Sequence, residues 1–440
     1  MDEIEKWITK PETIAKSRKG YAHFDPRTNI SKCQSYITNP KNIESHSFYP
    51  FIHYEQRLIK YHSKEGKKAK TRDICYASHL DRCVFQLYSH ILDELYNKEI
   101  AKRGIDSVPV AYRTDLKLNN IDISKIAFDY IKQHSPSYVI IGDFSGFFDN
   151  LNHEYLKTRW CNLLGAKYLP KDHYSVFKNI TRYSKWELSD ICRINELEYN
   201  RSGRKELNSK KVVLTKQQFK RYRSHIIKNT NPYGIPQGSP ISAILANLYM
   251  IDVDTIVYNA VTKLGGLYMR YSDDFIIVLP KNNPYFSPGV IATLNHIFND
   301  TPGITLEPHK TQYYQYENGE IQNCSIDLKG TVDSKTTIDF LGFSFDGKQV
   351  AIRPKTISKY YYRMYSKAKT IRMNRGYTSE GKKISKKNIY QRYSIRGAYN
   401  KKGNFLTYVE RAKCSYGKDE AIDKSTKNHM QKIKNALNGN

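Results

Sequence analysis

Asp273 and Asp274 stand side by side between two apolar runs, in LYMRYSDDFIIV at residues 267–278. A carboxylate at the end of a buried strand is costly to desolvate unless a cation or a set of donors compensates. A third aspartate, Asp143, ends another apolar run, SYVIIGDFSGFFDNL at 137–151. Three carboxylates at the ends of two strands are the oxygen ligands that a pair of divalent ions needs for phosphoryl transfer. The competing interpretation is a set of solvated turn aspartates, a setting in which Asp is favoured. Asp149 differs from the three: it lies just before an expected helix and is expected to order or cap that turn.

The elements that must hold these acids are visible as hydrophobic patterns. Residues 137–144 form an expected buried strand, and a helix is expected over 153–164. A helix over 239–263 carries Ile244, Leu245, Leu248, Ile251 and Val257 on one face, with Pro240 in its first turn. A hairpin follows around Asp273, then a helix near 290–300. FLGFSF at 340–345 alternates with a return strand at 349–353, across the turn Asp346-Gly347-Lys348. Upstream, Leu80, Val84, Leu87, Ile91, Leu92 and Leu95 recur at helical spacing, preceded by a basic loop, KEGKKAKTR, at 64–72. The order strand, helix, hairpin, helix approximates a split βαβ antiparallel sheet, which lifts both acidic strand ends to one side.

Charge indicates the partner. The 440 residues hold 71 Lys plus Arg against 43 Asp plus Glu, a net charge of +28. That excess goes beyond what solubility needs and points to a polyanion. Residues 351–400 contain fourteen Lys and Arg and one acid, Glu380. Tyr is abundant, with 36 residues, and tyrosine interleaved with cations suits base stacking. The seven scattered cysteines form no C-x-x-C pair, so neither a disulfide framework nor a zinc site is expected. No run of about 18 apolar residues occurs, so no membrane span is expected. The N-terminus has no apolar leader pattern, and a reducing cytoplasm is the expected location.

Eight ordered segments resemble reverse transcriptases, specifically compact bacterial enzymes related to those of group II introns and retrons. They are RDICYASHLD (72–81) with VAYRT (110–114), GDFSGFFDNL (142–151), GIPQGSPISAILANLYM (234–250), RYSDD (270–274), GITLEPHKT (303–311), FLGF (340–343) and IRPKTISKYYYRMYSKAK (352–369). No endonuclease motif, maturase extension or V-T-G motif is present. The chain is therefore most similar to small, defence-associated, abortive-infection-like members. The resemblance implies an α+β right-hand polymerase with fingers, a ferredoxin-like palm and a helical basic thumb. In this sequence it implies an N-terminal extension at 1–65, fingers at 66–136, a palm at 137–348 and a thumb with tail at 349–440. Residues 182–230, polar and charged, would be an insertion or surface excursion within the palm.

The resemblance also assigns roles. Asp143, Asp273 and Asp274 would be catalytic and would hold two Mg²⁺, with Mn²⁺ as a substitute. Arg72 and Arg113, with Lys70 beside them, would grip the triphosphate, since guanidinium pairs bidentately with phosphate. Phe148 would be a bulky gate against a ribose 2′-hydroxyl, favouring deoxynucleotides; a core pair with Phe147 is the alternative. Gln237 and Gly238 would meet the incoming nucleotide, Gly238 by letting backbone approach it. Lys310 would neutralise or protonate pyrophosphate, the alternative being a lysine at a helix end. Leu341 and Gly342 would approach the primer end, and Arg353, Lys355 and Lys359 would hold duplex phosphates. The implied activity is RNA-directed DNA synthesis on a noncoding RNA in antiphage defence. RNA template, DNA product and deoxynucleoside triphosphates are its partners; no membrane is involved, and oligomeric state is left open. Two alternatives stand beside it: a protein-primed or template-independent DNA synthase on the same palm, and a noncatalytic RNA-binding protein on a polymerase scaffold.

Overall fold

The computed structural model describes residues 3–62, 66–287, 289–324, 336–377, 386–400, 403–417, 420–424 and 426–439. For 58–62, 66–70, 386 and 387 it describes the backbone alone. The chain is a mixture of helices and mainly antiparallel sheets. It divides into two compact units: residues 1–112, 144–256 and 293–306 form the first, and residues 113–143, 257–292 and 307–440 the second.

The second unit holds a five-stranded antiparallel sheet. Its order is Leu267–Tyr271, Asp274–Pro280, Ser137–Asp143, Gln312–Glu317 and Glu320–Asn323. Val139, Ile140 and every residue from Phe275 to Leu279 are buried, so these strands read as near-continuous apolar runs. The register sets Ile141 opposite Ile276, Gly142 opposite Phe275 and Asp143 opposite Asp274. A slip of one residue would turn each side chain to the other face of the sheet. Burial of the apolar run therefore fixes where the aspartates emerge.

FLGFSF is not one strand. Ile338–Phe340 and Phe343–Phe345 pair antiparallel across Leu341 and Gly342, and Val350–Ile352 adds the third strand. Both turn residues adopt left-handed backbone, with φ of 45° at Leu341 and 95° at Gly342. The helix Pro354–Met373 follows, with Pro354 in its first turn. Ile357, Tyr360, Tyr361, Met364, Ala368 and Ile371 are its buried stripe, leaving Lys355, Lys359 and Tyr362 exposed. Residues 378–385 of the basic stretch lie outside the described residues.

The first unit holds a four-stranded sheet in the order Gly66–Tyr76, Phe51–His62, Ser184–Glu187 and Ile227–Lys228. Two expectations change here. Residues 66–72 of the basic segment are strand rather than loop, so one hairpin crosses the boundary drawn between 65 and 66. The 182–230 segment is not a surface excursion. Trp186, Leu188, Ile191, Cys192, Leu207, Val213 and Leu214 form one buried cluster with Ala22, Phe24 and Ile52. Its few apolar residues are spaced among charges, and only their convergence with the N-terminal segment makes a core.

The helix His79–Lys102 buries Val84, Leu87 and Leu92 as its spacing predicts. The helix Ser242–Lys263 starts two residues beyond Pro240, where the Ser242 hydroxyl donates to the Pro236 carbonyl at 2.7 Å. Among the described residues it is the one helix long and apolar enough to cross a membrane, and 67% of its apolar window is buried inside the protein. All seven cysteines are free thiols.

His23 is fully buried; its Nε2 lies 3.2 Å from the Tyr76 carbonyl, and its Nδ1 has no partner among the described residues. Burial, with a smaller contribution from His79, pushes this imidazole down to about 3. The unfolded chain takes up the proton near the ordinary value of about 6.5, and the folded chain resists until far lower. Stability is thus fully present above that range and falls as pH drops through it. Comparison of urea midpoints at stepped pH should show His23→Gln with a shallower acid slope than the parent. The difference should approach one proton, about 1.4 kcal/mol per pH unit; parallel curves would remove His23 as a cause.

Candidate active site

The sequence-predicted residues fall into two groups, one in each unit. In the second unit, Asp143 closes one strand as Asp274 opens its neighbour, and the two are direct Cα partners. Such opposed positions lie about 4.5–5.5 Å apart at Cα. Asp273 occupies the two-residue turn between Tyr271 and Asp274, with Ser272 left-handed at φ 61°. The turn is held from below: Arg270 is fully buried and its Nη1 donates to the Ser272 carbonyl at 3.0 Å. An arginine inside an apolar strand was the sequence signal for this contact, and it had not been assigned a role. Gly142 faces the Phe275 ring, where a Cβ would lie 2.0 Å from the ring edge.

Lys310 Nζ donates to Asp143 Oδ1 at 2.6 Å. It lies in a turn ahead of the Gln312–Glu317 strand rather than at a helix end, and the Glu307 amide donates to the Asp143 carbonyl at 2.8 Å. The Asp274 side chain reaches solvent, but protein atoms crowd it. That desolvation, then repulsion from Asp273 and Asp143, pushes its carboxyl up to about 7, against the pull of Lys310 and Arg353. Water at the mouth screens part of the repulsion.

Around this cluster, the Leu341 carbonyl accepts from Asn120 Nδ2 at 3.0 Å, and Asn120 also donates to the Tyr408 hydroxyl. The Gly342 carbonyl accepts the Arg353 amide at 3.0 Å, and Arg353 Nε pairs with Asp339 at 2.8 Å. The strained turn is thus braced on both sides. Lys355 and Lys359 are exposed one helical turn apart. Arg113 departs from the expectation of an open phosphate grip. It is buried, and its guanidinium is paired with Asp115. Burial alone would raise the Asp115 carboxyl; the hydrogen bond and charge of Arg113 hold it below its ordinary value.

The first unit carries Arg72, Phe148 and Gln237. Arg72 is exposed, and Lys70's side chain lies outside the described residues. Phe147 is buried and Phe148 partly buried, and their rings meet edge to face with centroids 5.5 Å apart, so the aromatic pair is present with Phe148 at its outer side. The Gln237 loop docks on the strand of Arg72, since the Cys75 amide donates to the Gln237 carbonyl at 2.8 Å. Gly238, at φ 111°, comes so close that a Cβ would lie 2.6 Å from the Cys75 carbonyl. This close approach to the strand by itself calls for glycine at the position. Asp149 does not cap the following helix; Asn152 does, accepting from the Tyr155 amide at 2.9 Å. Desolvation and repulsion from Asp73 raise the Asp149 carboxyl, and a Gln237 side-chain hydrogen bond opposes them. His53 bridges Glu187 at 2.7 Å and Asp73 at 3.0 Å, a tie that no sequence spacing revealed.

The donor set fits divalent magnesium, which takes oxygen ligands, keeps waters and binds through one or two carboxylates plus substrate phosphates. Asp143 and Asp274 meet at one sheet end beside Asp273, and the Lys310 ammonium already lies on Asp143 as a cation would. Among the described residues no group of three His, Cys, Asp or Glu side chains is arranged to hold an ion alone. Water and substrate phosphates would complete the sphere.

Residues 203–345 match the family model described as reverse transcriptase (RNA-dependent DNA polymerase). The match spans Gln237, Asp273, Asp274, Lys310, Leu341 and Gly342, less than half of the chain, and supports a reverse-transcriptase family. No curated protein matches in sequence. Among solved structures, apo telomerase from Candida tropicalis truncated from its C-terminal domain superposes with a TM-score of 0.39 at 11% identity. It covers 74% of this chain and 61% of its own. Telomerase from Candida albicans, in complex with a fragment of telomeric RNA, gives 0.38 at 14% identity, covering 92% of this chain and 65% of its own. The chain thus spans under two thirds of either relative's length, and scores this low do not define a shared fold.

Gly142→Ala should destabilise the chain by about 1–3 kcal/mol, because the added methyl displaces the buried Phe275 ring. Denaturant melts should show the loss, with partial recovery in Gly142→Ala/Phe275→Leu. Full parental stability in the single variant would contradict the packing.

Proposed function

We propose that the chain is an RNA-directed DNA polymerase, with the second-unit carboxylates as its catalytic centre. The observation that carries this reading is the register that opposes Asp143 to Asp274, with Asp273 in the intervening turn and Lys310 on Asp143. An apolar sheet does not gather acids at one end without a cationic task for them. In this proposal the five-stranded sheet is the palm, the hairpin of Arg72 belongs to the fingers, and the helix Pro354–Met373 opens the thumb.

Asp143, Asp273 and Asp274 would hold two Mg²⁺, which when bound lower the pKa of the primer hydroxyl and neutralise the triphosphate. The primer 3′-hydroxyl gives its proton to solvent water as its oxygen attacks the α-phosphorus of a deoxynucleoside triphosphate; a new P–O bond forms, and the bond to the bridging oxygen of pyrophosphate breaks. Lys310 exchanges Asp143 for the departing pyrophosphate, giving it charge or its Nζ proton. Arg72 orients the triphosphate. By the sequence resemblance, Phe148 would be the ring that meets a ribose 2′-hydroxyl and offers it no hydrogen bond. The Leu341–Gly342 turn and Arg353 seat the primer end, and Lys355 and Lys359 take duplex phosphates. A noncoding RNA template and an antiphage role extend the proposal and rest on the sequence resemblance, and a cytoplasmic location rests on the scattered, unpaired cysteines.

Primer extension on an annealed RNA template tests the centre. Asp273→Asn/Asp274→Asn should retain the parental melting temperature and lose incorporation by at least about 10³-fold, the scale of removing a principal charge stabiliser. Incorporation at the parental rate would reject the assignment. In the same assay Phe148→Ala should admit ribonucleotides about tenfold or more better relative to deoxynucleotides. Unchanged discrimination would remove Phe148 from the sugar site.

A further inference from the structure

Away from the residues assigned above, the first unit carries a pocket of about 540 Å³ with Lys157, Lys178, Arg182 and Lys228 in its lining. Glu154 is the one acid among its lining residues, 81% exposed and 3.9 Å from Lys157. Lys178, Arg182 and Lys228 are exposed and have no ion-pair partner among the described residues. Ordinary surfaces mix both signs of charge, so cations gathered round one concavity and left unpaired focus a positive potential there.

The walls are built rather than loose. His153 Nε2 lies 2.8 Å from the Gly234 carbonyl, and the His153 amide donates to the Pro232 carbonyl at 2.9 Å. Asn229 Nδ2 donates to the Thr181 carbonyl at 2.9 Å, while its backbone amide donates to Tyr183 at 2.8 Å. Tyr174 stands in the lining 47% exposed. The far wall, 229–232, runs on within the same unit into the loop of Gln237.

We propose that this pocket binds one nucleotide of an unpaired nucleic-acid strand, its phosphates on Lys178, Arg182 and Lys228 and its base against Tyr174. The volume suits a small-ligand site, whereas a duplex presents its phosphates on a convex surface and keeps its bases stacked inside. Cations supply sequence-independent affinity, and the ring accepts any base. Taking the strand to be template RNA rests on the proposed polymerase function; the pocket itself does not.

The test is fluorescence anisotropy of the full chain with a short labelled single-stranded RNA, the matching single-stranded DNA and the RNA duplex. Lys178→Ala/Arg182→Ala/Lys228→Ala should bind the single strand at least about tenfold more weakly at physiological salt, and its slope of log K against log salt should be shallower by about 2. Tyr174→Ala should lose about fivefold or more on the single strand and leave duplex binding unchanged. Arg182→Gln alone gives a smaller loss of the same kind and guards against misfolding of the triple variant. Loss on RNA alone or on both single strands supports the pocket and identifies its strand. Parental affinity and salt slope in the charge variants would overturn it, as would a Tyr174→Ala loss equal on single strand and duplex. Repeating the titration in Asp273→Asn/Asp274→Asn keeps it separate from catalysis, because the readout is binding and needs no incorporation.

Discussion

Two carboxylates opposed across neighbouring strands repel, and the rest of the second unit is arranged around that repulsion. Asp143 and Asp274 meet at the end of the buried sheet, with Asp273 adjoining. Compensation comes from Lys310 on Asp143 and from the fields of Lys310 and Arg353 on Asp274. None of these acids can retreat by a change of register, because the apolar run Phe275–Leu279 would then lose its burial. The hydrophobic effect thus holds an electrostatically costly cluster in place, and a divalent cation binds most strongly to such a cluster.

Left-handed backbone recurs at several non-glycine positions of the chain, and at two of them in the second unit a side chain holds the carbonyl. Ser272 and Leu341 are non-glycine residues in left-handed conformation, and each has a specific brace. Buried Arg270 holds the carbonyl of Ser272, and Asn120 holds that of Leu341. Strain of this kind persists only where surroundings over-determine it. In the first unit the same economy takes another form: the Gln237 loop uses a glycine to lie against the Cys75 backbone, which links it to the strand bearing Arg72.

Charge is distributed by task. The helix Pro354–Met373 buries an apolar stripe and leaves its lysines outward, as a phosphate-binding surface requires. Arg113 shows the opposite case, a cation withdrawn into an ion pair with Asp115. A formal excess of positive charge in the sequence therefore does not say which cations are free to meet a partner; burial decides that.

The sequence by itself determined the acids, the strands that carry them and the net positive charge. Those features are written in local patterns: apolar runs, their period and residues out of keeping with them, as Asp143, Asp273 and Asp274 are. The long helices over 79–102 and 242–263 were legible for the same reason. Tertiary structure alone decided what depends on residues distant in the chain. The core joining Phe24, Ile52 and Trp186 turned an apparent surface excursion into part of a unit, and the FLGFSF segment divided because its strands had each other to pair with. Gly238 answers to Cys75, and Arg113 to its burial with Asp115. Periodicity reports the face a residue presents; it does not report what arrives from elsewhere to cover that face, and that contact sets both pairing and charge.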